Sequence, residues 1–180
     1  MPCIERSSAG TIRALLLTKS FSPDRYADAL ESWEWIGLDD KAPTFTSLFG
    51  HVFLQNREGY WYLDVISGTL EMLWPDAATL QAVLDTDEGQ DEFLLGGLAL
   101  GAARRGLVLA DNQVYDFTPP PVLGGPFDLA NVGAADFVVA VNIAGQIHQQ
   151  VRQATHGTTV ASLTVNEDVP AKRAKFWRRR

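Results

Sequence analysis

The chain has a single cysteine in 180 residues. Cys3 cannot close an internal disulfide, which excludes a disulfide-stapled scaffold and fits a reducing compartment. Long apolar runs are also missing. The longest, 93–103 (FLLGGLALGAA), has 11 residues, against the roughly 20 of a membrane-spanning helix. The longest early run, Ala14–Leu17, is too short for a secretory signal core. These absences lead to the expectation of a soluble, cytoplasmic protein with no membrane span. Histidine is scarce, at three residues. His51, His148 and His156 fall in different predicted elements, so no metal cluster is expected. No Ser or Cys nucleophile motif is present. Gly96-Gly97 and Gly124-Gly125 lack the strand–glycine loop–helix order with a following lysine that marks a phosphate loop. No cofactor is expected.

Cations are absent from a long central stretch. Between Arg57 and Arg104 there is no Lys or Arg, while that interval holds nine acids. Six of the fifteen basic residues lie instead within the last nine positions, 172–180. Residues 1–171 therefore carry nine basic residues against 22 acidic ones. A field of this sign repels nucleic acid and attracts basic proteins. Ordinary surface acidity is the alternative. The candidate partner-binding residues are Asp64, Glu71, Asp85, Asp87, Glu88, Asp91 and Glu92.

What is present suffices for one globular domain. The chain is 46% apolar and 21% charged, and a chain of this length buries enough surface to fold without staples. One domain is expected over 1–165, followed by a basic, flexible tail at 166–180. Ile12–Leu17 reads as either a strand or a helix start. Ser22-Pro23 starts a helix, with a capping hydroxyl before a proline at the first position. Tyr26, Leu30 and Trp33 share one face of it, and Gly37 ends it. His51–Gln55, Tyr60–Ile66 and Thr69–Leu73 are short aromatic and β-branched runs separated by NREG and SG turns, which predicts an antiparallel meander. Asp76 caps a helix with Ala77, Leu80 and Leu84 on one face. Thr86 or Asp87 caps the next, expected to run unbroken to Arg105 and to be buried all round, with close approach of a neighbour at its glycines. Leu107–Phe117 gives one or two strands, and Pro119–Gly125 is loop. The last helix, capped by Asp136, sets Phe137, Val141, Ala144, His148 and Val151 on its apolar face. Asn142, Gln146, Gln149 and Gln153 form the opposite one. Thr158–Val165 reads as a closing strand.

His148 on that apolar face reads as a buried, hydrogen-bonded histidine rather than a catalytic base. A hydrolytic set would need Asp64, Asp116, Asp128 or Asp136 to converge on it. Trp33, Trp35, Trp61 and Trp74 read as core, with one of them available as an interface anchor.

The segment 119–151 carries "PPVLGG", then "FD", then a "DF" opening an apolar run that ends in "NIAGQIH". Upstream stand "SLFGHVFLQNREGYWYLDVISGTLEMLW" (Ser47–Trp74) and "DEGQDEFLLGGLALGAARRGL" (Asp87–Leu107). In this order the blocks resemble the C-terminal domain of type VI secretion immunity proteins that neutralise DNase toxins, a domain often found after a GAD-like one. The resemblance covers about 45–165. The first forty residues do not match a full GAD-like domain, and the basic tail lies outside the pattern. The resemblance implies a non-enzymatic bacterial antitoxin. It would bind a cognate toxin, a basic nuclease, and occlude its active or DNA-binding surface without binding nucleic acid itself. Gly124, Gly125, Asp136, Gly145 and His148 are its structural motif residues. A regulatory or scaffolding module on the same fold is the alternative, and an Asp/His hydrolase a third. The oligomeric state is left open. The fold expected is α+β, an antiparallel sheet packed against two central helices and a C-terminal amphipathic helix.

Overall fold

The computed structural model describes Ala14 and residues 16–154. The strand expected at Thr158–Val165 and the tail expected at 166–180 lie outside the described residues. Five strands, β1 (Thr18–Lys19), β2 (Ala42–Ser47), β3 (Val52–Gln55), β4 (Tyr60–Asp64) and β5 (Thr69–Trp74), form one antiparallel sheet in sequence order. Short links make the meander. Asn56 Oδ1 accepts the Glu58 amide at 2.9 Å and the Trp61 indole N–H at 3.0 Å, closing the β3–β4 turn. Asp64 Oδ1 accepts the amides of Ile66 and Ser67 at 2.9 and 3.0 Å, closing the β4–β5 turn. The sequence pattern did not disclose β2, because Pro43 interrupts it. The proline is accommodated where the β2–β3 register shifts, between Pro43 and Phe45.

The sheet is covered on both faces, so Val52, Phe53 and Leu54 are all fully buried and show no alternation. Phe53, Tyr62 and Trp74 face α2 (Ala77–Leu84), α3 (Asp87–Leu94) and α4 (Gly96–Arg104). Val52, Leu54 and Leu63 face α1 (Pro23–Leu30), the 3-10 turn Glu31–Ile36, and α5 (Phe137–Gln153). A separate ladder pairs β6 (Gln113–Phe117) with β7 (Val132–Asp136). The architecture is α+β, with the middle helices and the C-terminal helix on opposite sides of the sheet.

Several expectations require correction. The Ser22 side chain makes no capping hydrogen bond, and the first helix tightens into a 3-10 turn before Gly37 ends it at φ 93°. The helix expected over 87–105 is two helices, broken at Leu95 with φ 53°. The Asp91 carboxylate accepts the Gly97 amide at 2.8 Å, satisfying a free N–H of the new helix start. Nor is this stretch buried all round. Ala99 and Ala102 are buried while Gly97, Ala103 and Arg104 are exposed. Close approach does occur at Gly101, where a Cβ would stand 2.8 Å from Leu129 Cδ2. Asn142, expected on the solvent face of α5, is 4% exposed. Its amide donates to Asp28 O at 2.8 Å, so a polar residue serves the packed face.

Candidate functional site

The motif residues of α5 form a docking stripe at i, i+3, i+6. Asn142 holds α1 through Asp28, and its carbonyl accepts the Ser32 hydroxyl at 2.7 Å. Gly145 lies under the 3-10 turn, where a Cβ would overlap Ser32 Oγ and stand 2.8 Å from Trp33 Nε1. That close crossing lets the Trp33 indole donate to Val141 O at 2.8 Å. His148 Nε2 lies 3.1 Å from both Val65 O and Ile66 O. Two carbonyl acceptors call for the proton on Nε2. Burial holds the imidazole pKa below its ordinary value, against the opposing pull of those carbonyls and Asp64. At the other end of the helix, Asp136 Oδ1 accepts the Val138 amide at 2.9 Å, and Oδ2 pairs with Arg25 at 2.8 Å.

Asp64 sits at the centre of this support rather than on an open face. Its carboxylate closes the β4–β5 turn and lies 3.2 Å from His51 Nδ1, close enough for an ion pair but off the line of a hydrogen bond. Burial works to raise its pKa. His51 and the Ser67 groups outweigh burial and hold it well below the carboxylate range.

Only part of the hydrolytic set converges. Asp116 and His148 line one cavity of about 40 Å³, with Pro120, Pro121, Val141 and Ala144 around them. That is room for a water or two. Burial raises the Asp116 pKa, and its Oδ1 accepts the Phe117 amide. Asp128 caps the turn 129–131 through the Ala130 amide at 2.7 Å. Asp136 lies at the start of α5, about 18 Å along the axis from His148 at 1.5 Å per residue. In the loop, Gly124 has φ 85°, and a Cβ at Gly125 would overlap the Pro119 carbonyl oxygen. Both glycines therefore shape the turn that carries Leu123 and Phe127 outward, 42% and 54% exposed. Among the described residues, no group of three or more His, Cys, Asp or Glu is placed to hold a metal. No described helix is long and apolar enough to cross a membrane.

The remaining acids gather around α3. Asp85 ends α2 and accepts Gln81 Nε2 at 2.7 Å. Asp87 and Glu88 occupy the first turn of α3, where the helix dipole favours them. Asp91 and Glu92 follow and are exposed. Glu71, exposed on β5, is the register partner of Tyr62. The Tyr62 hydroxyl donates to Phe93 O at 3.1 Å. Its pKa is raised by burial first, then by Asp64 and Glu92. The exposed apolar side chains of Met72, Leu73, Leu123 and Phe127 escaped sequence reasoning, since composition does not tell an outward apolar residue from a core one.

Residues 79–148 match the family described as T6SS immunity protein Tdi1, C-terminal. The match runs from α2 to His148 and leaves the upstream strands outside it. No curated protein matches the chain. A solved structure, the crystal structure of Atu4351 from Agrobacterium tumefaciens, shares the fold with a TM-score of 0.54 at 18% identity. The alignment covers 72% of this chain and 66% of that one. Over residues 79–148, which build the layer over one sheet face and the stripe of α5 that clasps the other, this chain is similar to the C-terminal domain of the type VI secretion immunity family.

Proposed function

We propose that this chain neutralises a secreted toxin by binding it in the cytoplasm, that the toxin is a basic nuclease, and that no chemistry is contributed by the chain itself. The family match over 79–148 carries the reading. The electrostatics support the nuclease: a DNA-cutting enzyme presents cations to phosphate, and the stretch 58–103 presents only acids. Such complementarity accelerates encounter more than it tightens the final complex. The use of His148 supports a non-enzymatic role, since its Nε2 is taken by two main-chain carbonyls.

Occlusion asks for a rigid surface. The double-sided packing of the sheet and the clasp of α5 supply one. The test is co-expression with a toxin encoded beside this chain's gene. Restored growth, and loss of DNA cleavage by the purified pair in a 1:1 complex, is the expected result. A neighbouring toxin that is neutralised but cuts no nucleic acid would overturn the nuclease assignment alone. Failure to bind the toxin would overturn the whole reading.

A further inference from the structure

The sheet has two edges of unequal character. β1 ends one side with two residues, too short to template another chain. β5 ends the other with six residues, of which only Trp74 is buried. Free edges are normally blunted by lysine, proline, shortening or a covering element. β5 has no Lys and no Pro within it, and among the described residues β4 alone pairs with it; its register against β4 shifts between Met72 and Trp74, which leaves Thr69–Met72 as the regular stretch. It displays Met72 and Leu73, 47% and 37% exposed. The nearest charge is Glu71, and the Glu92 carboxylate acts on the same Tyr62 that pairs with Glu71.

From this we infer that β5 is a strand-docking edge, and that its occupant is an extended, basic segment of the toxin added as a sixth strand. The assignment rests on the toxin-binding reading above. Main-chain N–H and C=O groups supply the pairing, and side chains supply the choice of partner. A segment alternating apolar residues with Lys or Arg would set its apolar side chains beside Leu70 and Met72 on one face and a cation beside Glu71 on the other. A second copy of this chain is disfavoured at the same edge. Antiparallel self-pairing centred on the strand sets the two Glu71 side chains opposite or one step apart, and like charges facing across a ladder are destabilising.

The test is amide hydrogen exchange resolved by residue, on the full chain alone and with a catalytically inactivated form of the toxin that the co-expression test identifies. The β5 amides not paired with β4 are expected to exchange quickly in the free protein and on the order of tenfold or more slower in the complex. The double substitution Glu71→Lys, Met72→Lys alters two exposed side chains and should weaken Kd by roughly tenfold or more. Glu34→Lys, exposed on the other side of the sheet, should leave Kd within about twofold. A complex that forms without slowing these amides overturns the docking edge and leaves toxin binding standing. Slow exchange already in the free protein shows the edge taken by a second copy or by residues 155–180, and also overturns it. Absence of any complex removes the toxin reading and this assignment together.

Discussion

His148 lies against Gly68 so closely that a methyl group at Gly68 would occupy the imidazole's place. A Cβ built there would overlap Nδ1 and stand 2.6 Å from Cγ and 2.8 Å from Cε1. Gly68 also has φ 70°, a conformation side chains oppose. The ring thus seals the turn that Asp64 closes from inside. Through that turn the C-terminal helix is locked to the hairpin whose outer strand, β5, ends the sheet among the described residues.

Gly68→Ala should cost about 2–3 kcal/mol, from the left-handed backbone and the displaced ring. His148→Ala should cost about 1–3 kcal/mol, because two carbonyls lose their donor. The two losses should not add. With the imidazole gone, the methyl has space, and the double variant should be at least ~1 kcal/mol more stable than the sum implies. Urea denaturation of the four proteins measures this. Strict additivity would show that the residues do not compete for one volume. His148→Ala with full stability but abolished toxin binding would move His148 from the core to the interface.

Gly145→Ala should lower stability by about 1–3 kcal/mol, as overpacking at a close crossing does. The methyl collides with Ser32 Oγ and crowds the Trp33 indole, so the Trp33–Val141 hydrogen bond goes with it. Shifted tryptophan emission should accompany the loss. Unchanged emission and stability would mean α5 has room to move away from the turn.

Stability should rise with pH between about 5 and 7. The folded state holds the His148 pKa below its ordinary value, so the unfolded chain binds more protons near pH 6 and acidification favours it. Asp64 acts in the same direction at lower pH, its depressed pKa giving stability that is lost as pH falls toward the folded value. Asp116 opposes both. Its raised pKa makes ionisation costly in the fold, so Asp116→Asn should be neutral or stabilising at pH 7. His148→Gln should flatten the slope between pH 5 and 7 in thermal melts. A slope that survives the substitution would place the titrating group elsewhere.

Neutralising Asp87 and Glu88 to Asn and Gln, with Glu92→Gln, should slow toxin association by roughly threefold to tenfold at low salt and reduce its salt dependence. Asp85 and Asp91 are left intact to keep the Gln81 contact and the Gly97 amide contact at the start of α4. Stopped-flow rates across a salt series give the answer. An association rate independent of both charge and salt would show that the acids around α3 are surface acidity alone.

The strands β3 to β5, the caps Asp76 and Asp136, and the span of α5 were legible because each rests on signals within a few residues: turn side chains, capping carboxylates, apolar spacing. The break at Leu95 was not. It depends on an exposed Asp91 turning back to the Gly97 amide, against a run of residues that all tolerate helix. Asn142 was misread for a related reason. Periodicity sorts residues by polarity, whereas its burial depends on a carbonyl, that of Asp28, 114 residues earlier in the chain.

By itself the sequence determined the acidity of the central stretch, the family of the 79–148 segment and the α+β class. Composition, ordered motifs and hydrophobic period are properties of a string. Tertiary structure alone decided which sheet face each helix covers, that Asp64 supports a turn rather than an open surface, and that β5 ends the sheet among the described residues. Those outcomes depend on which apolar surfaces bury one another and which main-chain groups find partners, and distant parts of the chain settle both only when it folds.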